Sequence, residues 1–186
     1  MRAIVVAAFA AFAVVLSPQG AARETAPAAG MTIEALFTPG DPIDAKLAVL
    51  VDGARTEVLV QSFSFTNRRI ARALTAAHAR GVRVEILADR GQTLELPGSA
   101  VPALARAGIP VWLDGNFAAA HNKVLLVDAG SPHATLVTGS YNFTAAAQLR
   151  NAENVLIVRR DPALAAQYRE NFTRLRERAV RYDGGR

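Results

Sequence analysis

The side chains best suited to chemistry in this 186-residue chain lie between positions 121 and 154. His121-Asn122-Lys123 opens the stretch, the apolar run 124–127 leads to Asp128, Gly139-Ser140-Tyr141-Asn142 follows, and Glu153 stands between Ala152 and Asn154. A strand over 121–128 puts His121 and Lys123 on one face, roughly 7 Å apart, with Asp128 on the other. One nucleophile or base then stands beside one fixed cation. Gly139 permits close backbone approach, and Ser140 and Asn142 supply hydrogen-bond donors ahead of a helix-like run at 144–147. Imidazole, ammonium, hydroxyl, amide and backbone donors together describe a site for a phosphoryl group. Lys123 carries weight from composition as well. Nineteen of the twenty-one basic residues are arginine, so a lysine here points to a need for a compact ammonium.

Composition narrows the chemistry further. The chain has no cysteine, which removes disulfides, thiolate zinc sites, iron–sulfur clusters and cysteine nucleophiles. Its three histidines are His78, His121 and His133. No two stand three or four residues apart, so no helical metal pair is available, and neither a metal nor a cofactor is expected. The formal net charge of +5 suits a phosphate-bearing partner. With 51% hydrophobic and 20% charged residues, the chain is globular and long enough to bury a core.

The elements that must position the site alternate. Arg2, the apolar run 3–16, the breakers Pro18 and Gly20 and the small residues Ala21 and Ala22 predict an export signal over 1–22, and a flexible leader over 23–31. Strands are expected at 32–37, 57–63, 82–88, 109–113 and 155–158, with a hairpin pairing 124–127 to 135–138 around Gly130-Ser131-Pro132. Helices are expected at 44–51, from an Asn67 cap to Arg80 with Gly81 closing it, at 100–107, and from the Asp161-Pro162 start along Leu164, Tyr168, Phe172 and Leu175. Alternating strands and helices with an internal hairpin predict a single α/β domain with a mixed β-sheet flanked by helices on both faces. Arg68, Arg69 and Arg72 cluster at a helix start, either as a solvated face or as contacts to a nucleic-acid backbone. Trp112 and Phe117 read as core packing or as a stacking rim, His78 as boundary packing and His133 as a solvated turn residue.

The pattern His121-x-Lys123, four residues, Asp128, then Gly139-Ser140-x-Asn142 resembles the His-Lys-Asp motif of the phospholipase D superfamily. Residues 142–144 and 151–154 look like its small, single-motif bacterial endonuclease branch. Weaker likeness runs over 32–180 through Phe37-Thr38-Pro39-Gly40, residues 62–66 and Arg80-Gly81-Val82, and the turn after Asp128 is longer than that pattern. The resemblance implies a phospholipase D-like catalytic domain over 32–180 and a tail over 181–186. His121 would attack phosphorus to form a phosphohistidine, while Lys123, Ser140 and Asn142 hold the phosphate oxygens. Glu153 would orient His121, and Asp128 and Gly139 would be structural. A single motif per chain implies a homodimer with a composite active site. The implied protein is an exported, periplasmic or secreted phosphodiesterase, most simply a metal-independent endonuclease on DNA or RNA. The alternative is a phospholipase D acting on phosphatidyl headgroups, and behind it a non-catalytic phosphate-binding protein.

Overall fold

The computed structural model describes residue 26 and residues 28–185. The expected export signal over 1–22 lies outside the described residues, as do 23–25 and 27 of the expected leader. Among the described residues, eight strands form one sheet: β1 (Thr32–Thr38), β2 (Glu57–Ser62), β3 (Arg83–Asp89), β4 (Val111–Asp114), β5 (Lys123–Val127), β6 (Thr135–Gly139), β7 (Glu153–Arg159) and β8 (Val180–Tyr182). Their order is β1-β7-β6-β5-β2-β3-β4-β8. The segment β2-β3-β4 is parallel and every other pair is antiparallel. The chain leaves β2 for β3 on one side and later returns to lay β5 on the other. The crevice between β2 and β5 is therefore a switch point of the kind where open α/β sheets bind ligands.

The expected mixed sheet with helices on both faces is present. Helices α1 (Ile43–Asp52), α2 (Arg68–Ala79), α4 (Val101–Arg106) and α5 (Ala145–Leu149) cover one face. Their buried Leu47, Leu74 and Leu104 pack on Val60, Ile86 and Leu125 of the sheet. The other face is covered by α6 (Pro162–Arg176), whose Phe172 and Ala165 pack on Leu59, Leu126 and Leu136. Local signals set the helix ends. Asn67 Oδ1 accepts from the amides of Arg69 and Ile70, Asp161 caps Leu164 with Pro162 at the first position, and Gly81 closes α2 at φ +89°.

Four features depart from the sequence reading. His121 and Asn122 precede β5, so the expected alternation over 121–128 starts only at Lys123. Asp128 is not on a strand either. It follows β5 at φ +50°, and its carboxylate accepts from the amides of Arg55, Thr56 and Glu57 and from the Thr56 hydroxyl. A short helix, α3 (Arg90–Leu94), follows β3 in a stretch with no helical periodicity. Finally, β8 carries the sheet to Tyr182, two residues past the expected end of the domain at 180, because Val180–Tyr182 pairs with β4. Three residues are too few to show a period in sequence.

On the α6 face, Glu57 and Glu85 are buried and held by Arg83, Arg169 and Arg176. Trp112 is half-buried between the Arg176 and Arg181 guanidiniums, at 5.1 and 4.6 Å. It packs rather than projecting as a stacking rim, whereas Phe117 is exposed.

Asp128 ties the start of β2 to the end of β5. Burial pushes its carboxyl up, but the hydrogen bonds from Thr56, Glu57 and Arg55 together outweigh that and hold it below the ordinary carboxylate value. Its contribution to stability is therefore complete above that ordinary value and is lost as pH falls through the lowered one. Asp128→Ala should reduce the free energy of unfolding by about 2–4 kcal/mol, because several buried donors lose one acceptor. Urea denaturation at neutral pH measures this. A variant as stable as the wild type would remove Asp128 from the framework.

Candidate active site

The predicted site residues collect along one edge of the sheet. Lys123 is the first residue of β5 and pairs in register with Ser62, the last of β2. Gly139 ends β6 opposite Val155, and Glu153 begins β7 opposite Thr38. The chain therefore reaches this edge at the ends of β1, β2 and β6 and at the starts of β5 and β7.

Lys123 is 6% exposed. Its ammonium donates to the His121 carbonyl at 3.0 Å and lies 4.9 Å from the centroid of the Phe63 ring. The exposed His121 imidazole rests on the same ring, with centroids 4.4 Å apart. Phe63 thus seats both the imidazole and the ammonium. The sequence reading placed it at the end of a β-rich run and within the 62–66 stretch of family likeness but gave it no role; its position directly after β2 was the available signal. Burial lowers the Lys123 pKa and the Glu153 carboxylate works against that. The ammonium is a partly desolvated charge facing a single acidic partner among the described residues, which strengthens its field on an incoming anion.

Glu153 is held from three sides. Ser140 Oγ donates to its Oε2 at 2.6 Å, Asn151 Nδ2 donates to its Oε1 at 2.9 Å, and its amide donates to Thr38 Oγ1 at 3.1 Å. The His121 ring makes no hydrogen bond to Glu153 among the described residues, so the orienting contact implied by resemblance is not formed here. Ser140 is likewise committed. Its hydroxyl hydrogen goes to Glu153 and its oxygen accepts from the Asn154 amide at 3.1 Å. In this structure Ser140 positions a carboxylate instead of offering a donor to phosphate. Thr38 and Asn151 lay within the stretches of family likeness but were given no role, because their roles come from strand pairing across more than a hundred residues and from a tight turn.

Gly139 has a steric role. A Cβ at this position would run into the Asn154 carbonyl oxygen and lie 2.9 Å from Val155 Cα, so only glycine lets β6 approach β7 here. Asn142 stands beyond it, half-buried, with its Oδ1 buried and unpaired among the described residues. An unpaired buried amide oxygen is unfavourable by about 1–3 kcal/mol, and groups left so are found at ligand sites. The other two histidines are elsewhere. His133 lies in the β5–β6 turn and His78 in the last turn of α2, both at the opposite end of the sheet. His121 is the one imidazole at this edge, beside one ammonium, one carboxylate and one unpaired amide. Such a set can attack and hold a phosphoryl group, but it lacks a second proton donor for the leaving oxygen.

Comparison with known proteins gives consistent relatives. The family described as cardiolipin synthase, PLD-like domain matches residues 47–176. A protein named phospholipase D from Rickettsia bellii (strain RML369-C) is 39% identical over 140 residues, which are 75% of this chain and 67% of that protein. A mitochondrial cardiolipin hydrolase from Danio rerio is 37% identical over 125 residues, 67% of this chain and 52% of that protein. Nuc from Salmonella typhimurium, a phospholipase D family member of known crystal structure, superposes with a TM-score of 0.75 at 31% identity, over 82% of this chain and 98% of that one.

The Lys123–Glu153 coupling has a pH consequence. Loss of the Lys123 proton removes the charge available to a phosphate, so activity falls as pH rises through its lowered pKa. Glu153→Gln removes the carboxylate that keeps that pKa from falling further. In the residual activity of Glu153→Gln, the alkaline limb of kcat/KM should therefore begin at lower pH than in the wild type. A limb that stays in place would uncouple the two residues.

Proposed function

The chain belongs to the phospholipase D superfamily, and from that premise we propose that it is a metal-independent endonuclease working through a phosphohistidine in a two-fold dimer. It is a phosphodiesterase of that superfamily; the nucleic-acid substrate, the intermediate and the dimer are the proposal. The observation that carries it is the pairing of an exposed imidazole with a buried ammonium on one aromatic ring, at an edge that holds no second histidine.

In the proposed reaction a His121 ring nitrogen forms a bond to phosphorus as the bond to the leaving oxygen breaks. Lys123 and Asn142 hold the non-bridging oxygens and stabilise the charge that builds there. A second imidazole gives the leaving oxygen its proton, then takes one from the water that cleaves the phosphohistidine. Neither His78 nor His133 can serve, since both stand at the far end of the sheet. A second copy of His121 can, if two chains pair about a two-fold axis.

An uncovered sheet face supports that pairing. On this side α6 covers Val158 of β7 but not the rest of that face of β7 or of β1, leaving Ile33 at 59%, Phe37 at 57% and Leu156 at 43% exposed. This apolar patch runs up to Asn154 and Ser140 at the site edge, and burying it against a partner brings the two edges together. The positive net charge and the likeness to Nuc over nearly all of that small chain support a nucleic-acid substrate. The names phospholipase D and mitochondrial cardiolipin hydrolase carried by relatives favour the second reading, in which the same chemistry acts on phosphatidyl headgroups.

The discriminating experiment incubates purified protein with plasmid DNA, RNA and phosphatidylcholine vesicles in parallel, with EDTA present. Cleavage of nucleic acid in EDTA is expected. Hydrolysis of the lipid alone selects the second reading, and activity that vanishes in EDTA and returns with a divalent ion overturns the mechanism. His121→Ala should abolish both turnover and the trapped phosphoenzyme, and Lys123→Ala should reduce turnover about 10²–10³-fold. If wild-type chains are refolded with inactive His121→Ala chains at random, activity per dimer should fall as the square of the wild-type fraction. A linear fall with mixing confirmed would mean that each chain works alone.

A further inference from the structure

The arginine cluster at the start of α2 is divided by the fold. Arg69 is neutralised by Asp44, at 3.0 Å. Arg68 and Arg72 are exposed and form no ion pair or hydrogen bond among the described residues. They are four residues apart, so they lie on the same side of the helix, about 5–6 Å apart at Cβ. Both line a groove of about 710 Å³ between α2 and α4, and among the described residues no acidic side chain lines it.

The groove has a direction. Helix α2 begins just after β2, and the amide of Ala100, the residue before α4, donates to the Phe65 carbonyl. Both helices therefore start at the edge of the sheet that carries His121, and both run away from it. Thr66 at the groove mouth stands three residues from Phe63, the ring under His121 and Lys123. Its amide donates to the Phe143 carbonyl, next to Asn142. The mouth of the groove therefore lies near the catalytic edge, with Arg68 and then Arg72 farther along it.

The lining selects the occupant. Two unpaired guanidiniums and the Thr66 hydroxyl line the groove as donors, over a floor of alanines and Leu104. Ala76, Ala103 and Gly98 keep the walls low, so a backbone can come close. An acyl chain laid in this groove would cover the Thr66 hydroxyl and desolvate the two guanidiniums without offering them an acceptor. A sugar–phosphate backbone supplies anionic acceptors to both guanidiniums, independent of base sequence.

We propose that the α2–α4 groove is the path of the substrate strand beyond the cleaved bond, with Arg68 and Arg72 holding successive backbone phosphates. This rests on the endonuclease reading above. The groove then makes long strands better substrates than short ones without touching the chemistry. Neither arginine contacts the residues that act on phosphorus.

The test compares full-length wild type with the double variant Arg68→Ala/Arg72→Ala on a dinucleotide and on an oligonucleotide of about 16 residues, the upper range of a single-strand site. The variant should cleave the dinucleotide as the wild type does and lose about 10- to 100-fold in kcat/KM on the longer strand, the scale for two charge-assisted contacts. In a His121→Ala background, the slope of log affinity against log salt should fall by about 2. Ala76→Trp, which keeps both arginines and fills the groove, should show the same length-selective loss. Equal losses on both substrates, or none on the longer one, overturn the proposal. So does a double variant that loses only its binding to anionic phosphatidylglycerol vesicles, which would give the groove to a lipid surface. A wild type that cleaves neither oligonucleotide sinks the endonuclease reading itself, before any variant is made.

Discussion

A lysine ammonium kept nearly out of water at the edge of a β-sheet is the constraint around which this molecule is organised. Removing a charge from water is unfavourable by several kcal/mol unless the surroundings answer it. Here the answer comes from the His121 carbonyl, the face of Phe63 and the Glu153 carboxylate. Each lies on a different segment of chain. Lys123 opens β5, Phe63 follows β2 and Glu153 opens β7, so three segments must end at the same level for the charge to be tolerated. The paired register of Ser62 with Lys123, and of Thr38 with Glu153, brings them there.

The same constraint explains residues that never meet a substrate in the proposed mechanism. Gly139 lets β6 lie against β7 closely enough for Ser140 to reach Glu153. Thr38 accepts from the Glu153 amide, and its hydroxyl lies 3.0 Å from the carbonyls of both Ala147 and Asn151. That hydroxyl joins β1, α5 and the turn before β7. At the other end of the sheet, Asp128 closes the β2–β5 pair by gathering the amides that lead into β2. The two ends of β5 thus do different work, although the motif writes them as one string.

The two sheet faces are used unequally. Four helices close one face, while on the other α6 covers Val158 but leaves β1 and the first half of β7 bare. A bare apolar face beside a site with one imidazole is what a two-fold partner would complete. The closed face leaves the α2–α4 groove open to solvent, with its arginines free of carboxylates. In the proposed assembly a partner and a strand therefore take separate surfaces.

Sequence alone determined whatever depends on neighbours a few residues apart. The caps at Asn67 and Asp161, the closing Gly81, the Gly130-Ser131-Pro132 turn and the alternating strand–helix order are all short-range, because a cap or turn is satisfied within about four residues. The chemistry was legible for a related reason, since His121, Lys123, Gly139, Asn142 and Glu153 are rare in combination and close in the chain. What only the tertiary structure decided involves partners far apart in sequence. Phe63 beneath His121, Thr38 against Glu153, Asp44 silencing Arg69 but not Arg68 or Arg72, and three residues at 180–182 becoming an edge strand all depend on strand order and helix placement. Strand order is set by how the whole set of apolar faces can be buried at once, so no local window of residues contains it.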